Sequence, residues 1–281
     1  MKLLRYGPAG QEKPGLLDND GNIRDLSAHL ADIDGPALEE DSLNKLKALD
    51  PQSLPLVEGT PRLGSPLTRP GKLLGIGLNY SDHAREMGLE PTQEPRLFMK
   101  AISSLSGPND PVEIPRNSTH TDWEVELAVV IGKKAKYVSA EEALSHVAGY
   151  AVANDISERH FQNNLSGQWV KGKSHDTFLP LGPWIVTADE VAEPGNLKLW
   201  LDVNGERKQD GTTANLIFDL KTIISHVSAF MTLHPGDVIL TGTPAGVGLG
   251  QKPEPQFLKA GDSMIVSVEG LGEQRQLCID A

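Results

Sequence analysis

Apolar residues along this chain recur mostly at every second position, in short runs closed by Gly, Asn, Asp or Pro. The runs KLLGIGLN, WEVELAVVIG, VAGYAVAND, LKLWLDVNG, DVILTG and SMIVSVEG predict short strands. Upstream, LLRYG and GLLDNDGNIRDL predict further short strands, with Asn19, Asp20, Gly21 and Asn22 as a turn that accepts positive φ. Helical periodicity is rarer. It appears over about residues 42–49, in SDHAREMG, in SAEEALSHV and in LIFDLKTIISHVSAFM. In SAEEALSHV, Ser139 reads as the N-cap and Glu142 as its capping-box partner. The segment EGTPRLGSPLTRPG, residues 58–71, is dense in Pro and Gly and reads as a linker. The pattern predicts a small N-terminal domain over residues 1–65 and a β-rich α+β domain over 66–281, rather than a regular βαβ repeat.

One strand carries an anomaly. In TDWEVELAVVIG, alternation places Trp123, Val125, Leu127, Val129 and Ile131 on one face and Glu124, Glu126, Ala128 and Val130 on the other. Both faces are apolar over most of their length, yet two carboxylates point the same way. At roughly 6.6 Å between their Cα atoms, the two can converge on one point. A charge buried without compensation costs several kcal/mol, so protonation, basic partners, solvent or a cation must intervene. The run VAGYAVANDIS turns polar at Asn154 and Asp155, which places a third carboxylate at a strand end. Three carboxylates from two strands would make an all-oxygen site suited to a hard cation such as Mg²⁺ or Mn²⁺.

Composition narrows the function. The 281 residues include 38 acidic and 26 basic side chains, a formal net charge of -12. That balance, with no basic run longer than a pair such as Lys133 and Lys134, argues against nucleic acid and anionic membranes as partners. Cys278 is the only cysteine, so no intramolecular disulfide and no thiolate cluster forms. The opening MKLLRYGPAGQEKPG lacks the apolar stretch of a leader, and no run approaches a membrane span. A cytoplasmic protein is expected.

Three short motifs need weighing. Gly167 to Ser174 matches the literal Walker A pattern, but polar residues precede it and prolines follow it, so a strand–loop–helix phosphate cradle is not expected. Gly75-Ile-Gly77-Leu-Asn-Tyr80 begins like a dinucleotide fingerprint and has Tyr80 where the third glycine belongs. TGTPAGVGLG follows a strand and must be a loop, either a tight connection or a place where backbone meets a ligand. In SDHAREM, His83 and Glu86 fall three apart on a short helix. They are either a surface ion pair or a general base with an orienting carboxylate. The stretch 81–95, with its Gly and Pro residues after the helix, is expected to act as a lid.

The ordered set GLNYSDHAREM, LFMK, DWEVELAVVIGK, GYAVANDIS, QWVKGKSHDTFLPLGPW, LWLDVNGERKQDG and DVILTGTPAGVG covers about residues 70–281 and resembles the fumarylacetoacetate hydrolase family. The resemblance implies a mixed β-roll or sandwich with the metal at its mouth, a small N-terminal domain and a homodimer. It implies Mg²⁺ or Mn²⁺ held by Glu124, Glu126 and Asp155, a water-activating pair of His83 and Glu86, and a catalytic Lys173. Arg159, Gln162, Gly242 and Thr243 are the implied substrate contacts. The implied reaction is hydrolysis of a C–C bond in a 2,4-dioxo acid, giving pyruvate and a second acid. Oxaloacetate decarboxylation and ureidoglycolate lyase chemistry are alternatives on the same site, and a non-catalytic metal-binding scaffold is an alternative of another class. The run LDNDGNIRDLSAHLADIDG resembles bacterial members labelled ureidoglycolate lyase and members assigned to 2,4-diketo-3-deoxy sugar acids, and the diketone favours the latter. Two departures stand out. His160 replaces an acid after Arg159, and Asn79-Tyr80 stands where the true fumarylacetoacetate enzymes have a further acidic ligand, so a water is expected there.

Overall fold

The computed structural model describes all 281 residues. Its largest element is a sheet of eleven strands with Val125–Ile131 near the middle. On one side of that strand lie, in order, Val147–Asn154, Leu179–Thr187, Lys2–Tyr6, Lys13–Leu17 and Ile23–Asp25. On the other lie Val238–Leu240, Leu73–Gly77 and Arg96–Lys100. The pairing is antiparallel along this path except between Val238–Leu240 and Leu73–Gly77, which run parallel. A second, five-stranded sheet is built from Glu206–Thr212, Lys198–Val203, Ser263–Val268, Gly272–Asp280 and Val112–Ile114. No helix is long and apolar enough to cross a membrane.

The alternation read from the sequence is realised on the central strand, whose seven residues are all buried. Val125, Leu127, Val129 and Ile131 enter a core that also takes Leu199, Leu201, Val203, Met264, Val266 and Val268 from the second sheet. Ala128 and Val130 enter a second core on the opposite face. There they meet Leu3, Leu16, Leu26, Ile33, Leu38, Leu43, Leu46 and Leu54, so the first 65 residues share their core with the large sheet. The Lys2–Tyr6 strand is paired directly to Leu179–Thr187, with Leu3 opposite Ile185. Residues 58–71 are laced to this edge by the pairing of Leu63–Gly64 with Arg5 and Tyr6.

Some elements depart from the periodicity. SAEEALSHV forms no α-helix. Glu142 N–H does donate to Ser139 Oγ at 3.3 Å, but the backbone makes only a 3₁₀ turn, Ala143–His146, before entering the strand at Val147. Packing of Ala143 and the immediate start of that strand leave no room for further turns. The last helix begins at Leu220, not Leu216, because Asp219 caps it by accepting from Thr222 N–H. The preceding residues are held instead by Asn79, whose backbone and side-chain oxygens accept from Ile217 and Phe218 N–H. Leu179–Thr187 contains Pro180 and Pro183, yet it is a nine-residue strand. A register shift opposite Tyr150 and Val152 accommodates the residues that cannot continue a regular ladder.

Candidate active site

At the start of the central strand the second core ends and a polar cluster begins. Val125 pairs with Asn154, and Asp155 N–H donates to Glu124 O at 2.8 Å, which brings the third carboxylate beside the first two. Ligand oxygens of Glu124, Glu126 and Asp155 all lie within 4.8 Å of one another. The three residues are buried. Lys173 Nζ donates to Glu124 Oε2 at 2.7 Å and to Asp155 Oδ2 at 2.5 Å. Lys100, fully buried, pairs with the other oxygen of Asp155 and with Ile156 O. Arg159 Nη2 lies 2.7 Å from Glu124 Oε1.

Glu126 differs from its neighbours. Its side chain accepts the Gly242 N–H at 2.6 Å and has no basic partner. Burial, with Asp155 and Glu124 beside it, pushes its carboxyl well above the ordinary range. Burial acts on Glu124 in the same direction, but the Lys173 and Arg159 cations outweigh it and hold that carboxyl well below the ordinary range. Burial also draws the Lys100 ammonium down to about 8, with Asp155 opposing and Lys173 assisting. The all-oxygen donor set, and a carboxylate whose ionised form lacks a cation, fit a hard divalent ion. The buried Tyr80 hydroxyl has no partner in the chain, and burial, with Glu126 nearby, pushes its phenol well above its ordinary value. Asn79 itself is committed to the framework through Phe218 and Thr241.

His83 faces the same cavity of about 150 Å³ that Glu124, Glu126, Lys173, Arg159 and Gln162 line. Its Nδ1 lies 3.0 Å from Glu86 Oε2. With Nδ1–H donated to that carboxylate, Nε2 is the ring atom left to accept a proton. The TGTPAGVGLG loop holds Glu86 from the other side: Gly246 N–H donates to Glu86 Oε1 at 2.9 Å. At Gly250 a Cβ would lie 2.4 Å from Glu86 Cδ, so a side chain there would displace the carboxylate. His83 is buried, which removes the surface ion-pair alternative.

The structure brings most of the sequence candidates together and gives several of them local duties. Lys173 sits on the single helical turn Val170–Lys173. Its neighbour Gly172 packs so closely on the Arg159–Asn163 helix that a Cβ would lie 2.4 Å from Glu158 O, which explains the glycine of the Walker-like string without phosphate. Gln162 Oε1 accepts from Arg159 Nη1 at 3.2 Å. Gly242 and Thr243 border the cavity, but the Gly242 N–H serves Glu126 and the Thr243 hydroxyl bonds Val125 O and Gln209 Nε2. His160 is exposed, 6.1 Å from the His120 ring, and takes no part in the cavity. After the Ser81–Glu86 helix, Met87 and Leu89 of the expected lid border the cavity.

Sequence reasoning missed Asp122 and Lys100. Asp122 is fully buried and accepts from Arg159 Nε at 2.7 Å and from Gly248 and Leu249 N–H, tying the Gly-rich loop to the cluster. Its signal was available, since Asp122, Glu124 and Glu126 share one parity. Lys100 closes RLFMK like an ordinary strand-end lysine, and only the pairing of Arg96–Lys100 with Leu73–Gly77 carries it to Asp155.

A family model described as fumarylacetoacetate hydrolase C-terminal matches residues 72–278. The chain belongs to the fumarylacetoacetate hydrolase family. A relative from Burkholderia multivorans, whose name goes no further than hydrolase, is 57% identical over 277 residues, covering 99% of this chain and 98% of its own. Maleylpyruvate hydrolase from Sphingobium sp. SYK-6, solved with manganese(II) and pyruvate, superposes with a TM-score of 0.82 at 30% identity over 100% of both chains. The 2-hydroxyhepta-2,4-diene-1,7-dioate isomerase of Mycobacterium marinum superposes with a TM-score of 0.75 at 33% identity, over 100% of this chain and 98% of its own.

Proposed function

We propose that the protein hydrolyses a C–C bond in a 2,4-dioxo acid of the acylpyruvate type, releasing pyruvate and a second carboxylic acid. The observation that carries this reading is the His83–Glu86 dyad opening on the same cavity as the carboxylate cluster. Glu124, Glu126 and Asp155 would hold Mg²⁺ or Mn²⁺, which supplies Lewis-acid polarisation of the 2-oxo acid end. The manganese and pyruvate of the Sphingobium neighbour support that assignment.

Around that group the chain's own residues do the rest. His83 Nε2 takes a proton from water, and Glu86 steadies the imidazolium that forms. The hydroxide so formed attacks the C4 carbonyl carbon, and the C3–C4 bond breaks with its electron pair moving toward C3. Return of the proton to C3 completes pyruvate, while the acyl half leaves as the acid. The ammonium of Lys173 and the guanidinium of Arg159, both held against Glu124, would stabilise the negative charge that develops on the substrate.

Isomerisation, the activity named for the Mycobacterium marinum neighbour, and oxaloacetate decarboxylation consume no water and release no second acid. Assay of pyruvate from an acylpyruvate, with Mg²⁺ or Mn²⁺ and with chelator, separates these readings. We expect chelator-sensitive pyruvate release. His83→Ala should lower kcat by about 10²–10⁴-fold while retaining divalent-ion binding. An active His83→Ala enzyme would remove the dyad from the mechanism. A wild-type enzyme that turns over no dioxo or oxo acid would leave a metal-binding scaffold.

A further inference from the structure

The cavity has two zones. Its inner end holds the carboxylates with Lys173, Arg159 and Gln162, and its outer end is walled by Phe98, Trp169, Met87 and Leu89. The inner cations face carboxylates of the chain itself: Lys173 meets Glu124 and Asp155, and Arg159 meets Asp122 and Glu124. Arg96, at the outer end, is different. Its guanidinium lies 5.5 Å from the Trp169 ring centroid, and it forms no ion pair within the chain. Trp169 is in turn fixed against Gly77, where a Cβ would fall 2.5 Å from the indole, and against Phe98 at 5.5 Å between ring centroids.

Strand geometry turns this into a ruler. Arg96, Phe98 and Lys100 share one face of the Arg96–Lys100 strand, whose residues alternate in direction. That face runs cation, aromatic, cation from the cavity mouth to Asp155, with roughly 13 Å between the first and last Cα atoms. Phe98 lies between the two cations, and Lys173 Nζ is 5.0 Å from its ring centroid. An oxo acid held at the inner cluster therefore extends past apolar walls toward a guanidinium that no carboxylate of the chain occupies.

We infer that Arg96 is a specificity-determining residue that recognises a carboxylate at the far end of the substrate. This rests on the oxo-acid reading of the inner cluster. It selects against acylpyruvates with an uncharged acyl tail, and against the 2,4-diketo-3-deoxy sugar acids that the sequence favoured, whose far end carries no carboxylate. The guanidinium presents paired N–H donors to a carboxylate, and its seat against the indole limits its freedom before binding.

Two measurements on the full-length, Mn²⁺-loaded enzyme test it. The first compares kcat/KM for 2,4-dioxoheptanedioate with that for 2,4-dioxoheptanoate, which has the same length and lacks the second carboxylate. The second compares equilibrium binding, by titration calorimetry, of 2-oxoheptanedioate and 2-oxoheptanoate, which lack the 4-oxo group and are not cleaved. In wild type both ratios should favour the diacid by about tenfold, the size of one charge-assisted hydrogen bond. Arg96→Ala should collapse both ratios toward one, chiefly through KM, and Arg96→Lys should restore part of each. A wild-type enzyme without preference for the diacids, or an Arg96→Ala enzyme that keeps it, would overturn the assignment. If neither dioxo acid is cleaved but the binding ratio holds and depends on Arg96, the hydrolytic reading fails and the role of Arg96 stands.

Discussion

Two acid–base clusters in this protein carry the same formal imbalance and resolve it differently. In the first, near the N-terminus, Arg5 and Arg62 face Glu12, Asp32 and Asp110. In the second, at the cavity, Lys100, Arg159 and Lys173 face Asp122, Glu124, Glu126 and Asp155. Each cluster has one more carboxylate than cations. In the first, every carboxylate meets a guanidinium, and the rim is open, with Asp32 28% and Arg62 33% exposed. Burial works to raise Glu12, but Arg62 and Arg5 hold it below the usual range. In the second, Glu126 is 2% exposed and has no cation. Solvent absorbs the surplus charge in one place, and only a proton or a bound ion can absorb it in the other. The burial of the odd carboxylate, more than the number of charges, separates a structural network from a site.

The largest effect should come from removing that odd carboxylate. Glu126→Ala should weaken Mn²⁺ binding at least about a hundredfold by calorimetry, while Asp32→Ala leaves the affinity unchanged. Equal loss of Mn²⁺ affinity in both variants would erase the distinction between the clusters.

A smaller effect is expected one step away from the ion. Gly250→Ala should push Glu86 off His83 and lower kcat about tenfold, with Mn²⁺ affinity intact. Unchanged kcat in this variant would mean that Glu86 does not need its clamp.

The smallest effect is one of pH. Because the Glu126 carboxyl is raised in the folded protein, folding takes up its proton, and metal-free stability falls as pH rises above the ordinary carboxylate range. In chelator, the Tm of Glu126→Gln should match wild type near about pH 5 and exceed it increasingly toward about pH 8. Parallel Tm curves would show that Glu126 is not held uncharged in the metal-free protein.

Much of the site was legible in the chain because strand alternation is a local property. The common direction of Glu124 and Glu126, the burial of both faces beyond them and the strand-end position of Asp155 all follow from period two. The spacing of His83 and Glu86 follows in the same way from one helical turn. Where local rules failed, long-range packing had overridden them. The capping signal of Ser139 and Glu142 was real and its helix was not, since the chain is drawn at once into the strand at Val147. Pro180 and Pro183 cannot donate to a ladder, and a register shift lets them sit inside a sheet.

By itself, then, the sequence determined which carboxylates point together, that they lie at the edge of a buried strand, and which family's motifs surround them. Only the tertiary structure decided how their charges are met. Lys100 and Lys173 reach Asp155 from 55 and 18 residues away, and Asp122 reaches Gly248 across 126. It also decided that Arg96 stands at the cavity mouth without a partner. The physical reason is that alternation fixes the direction of a side chain along its own strand, whereas the partner it meets depends on which distant strands pair beside it.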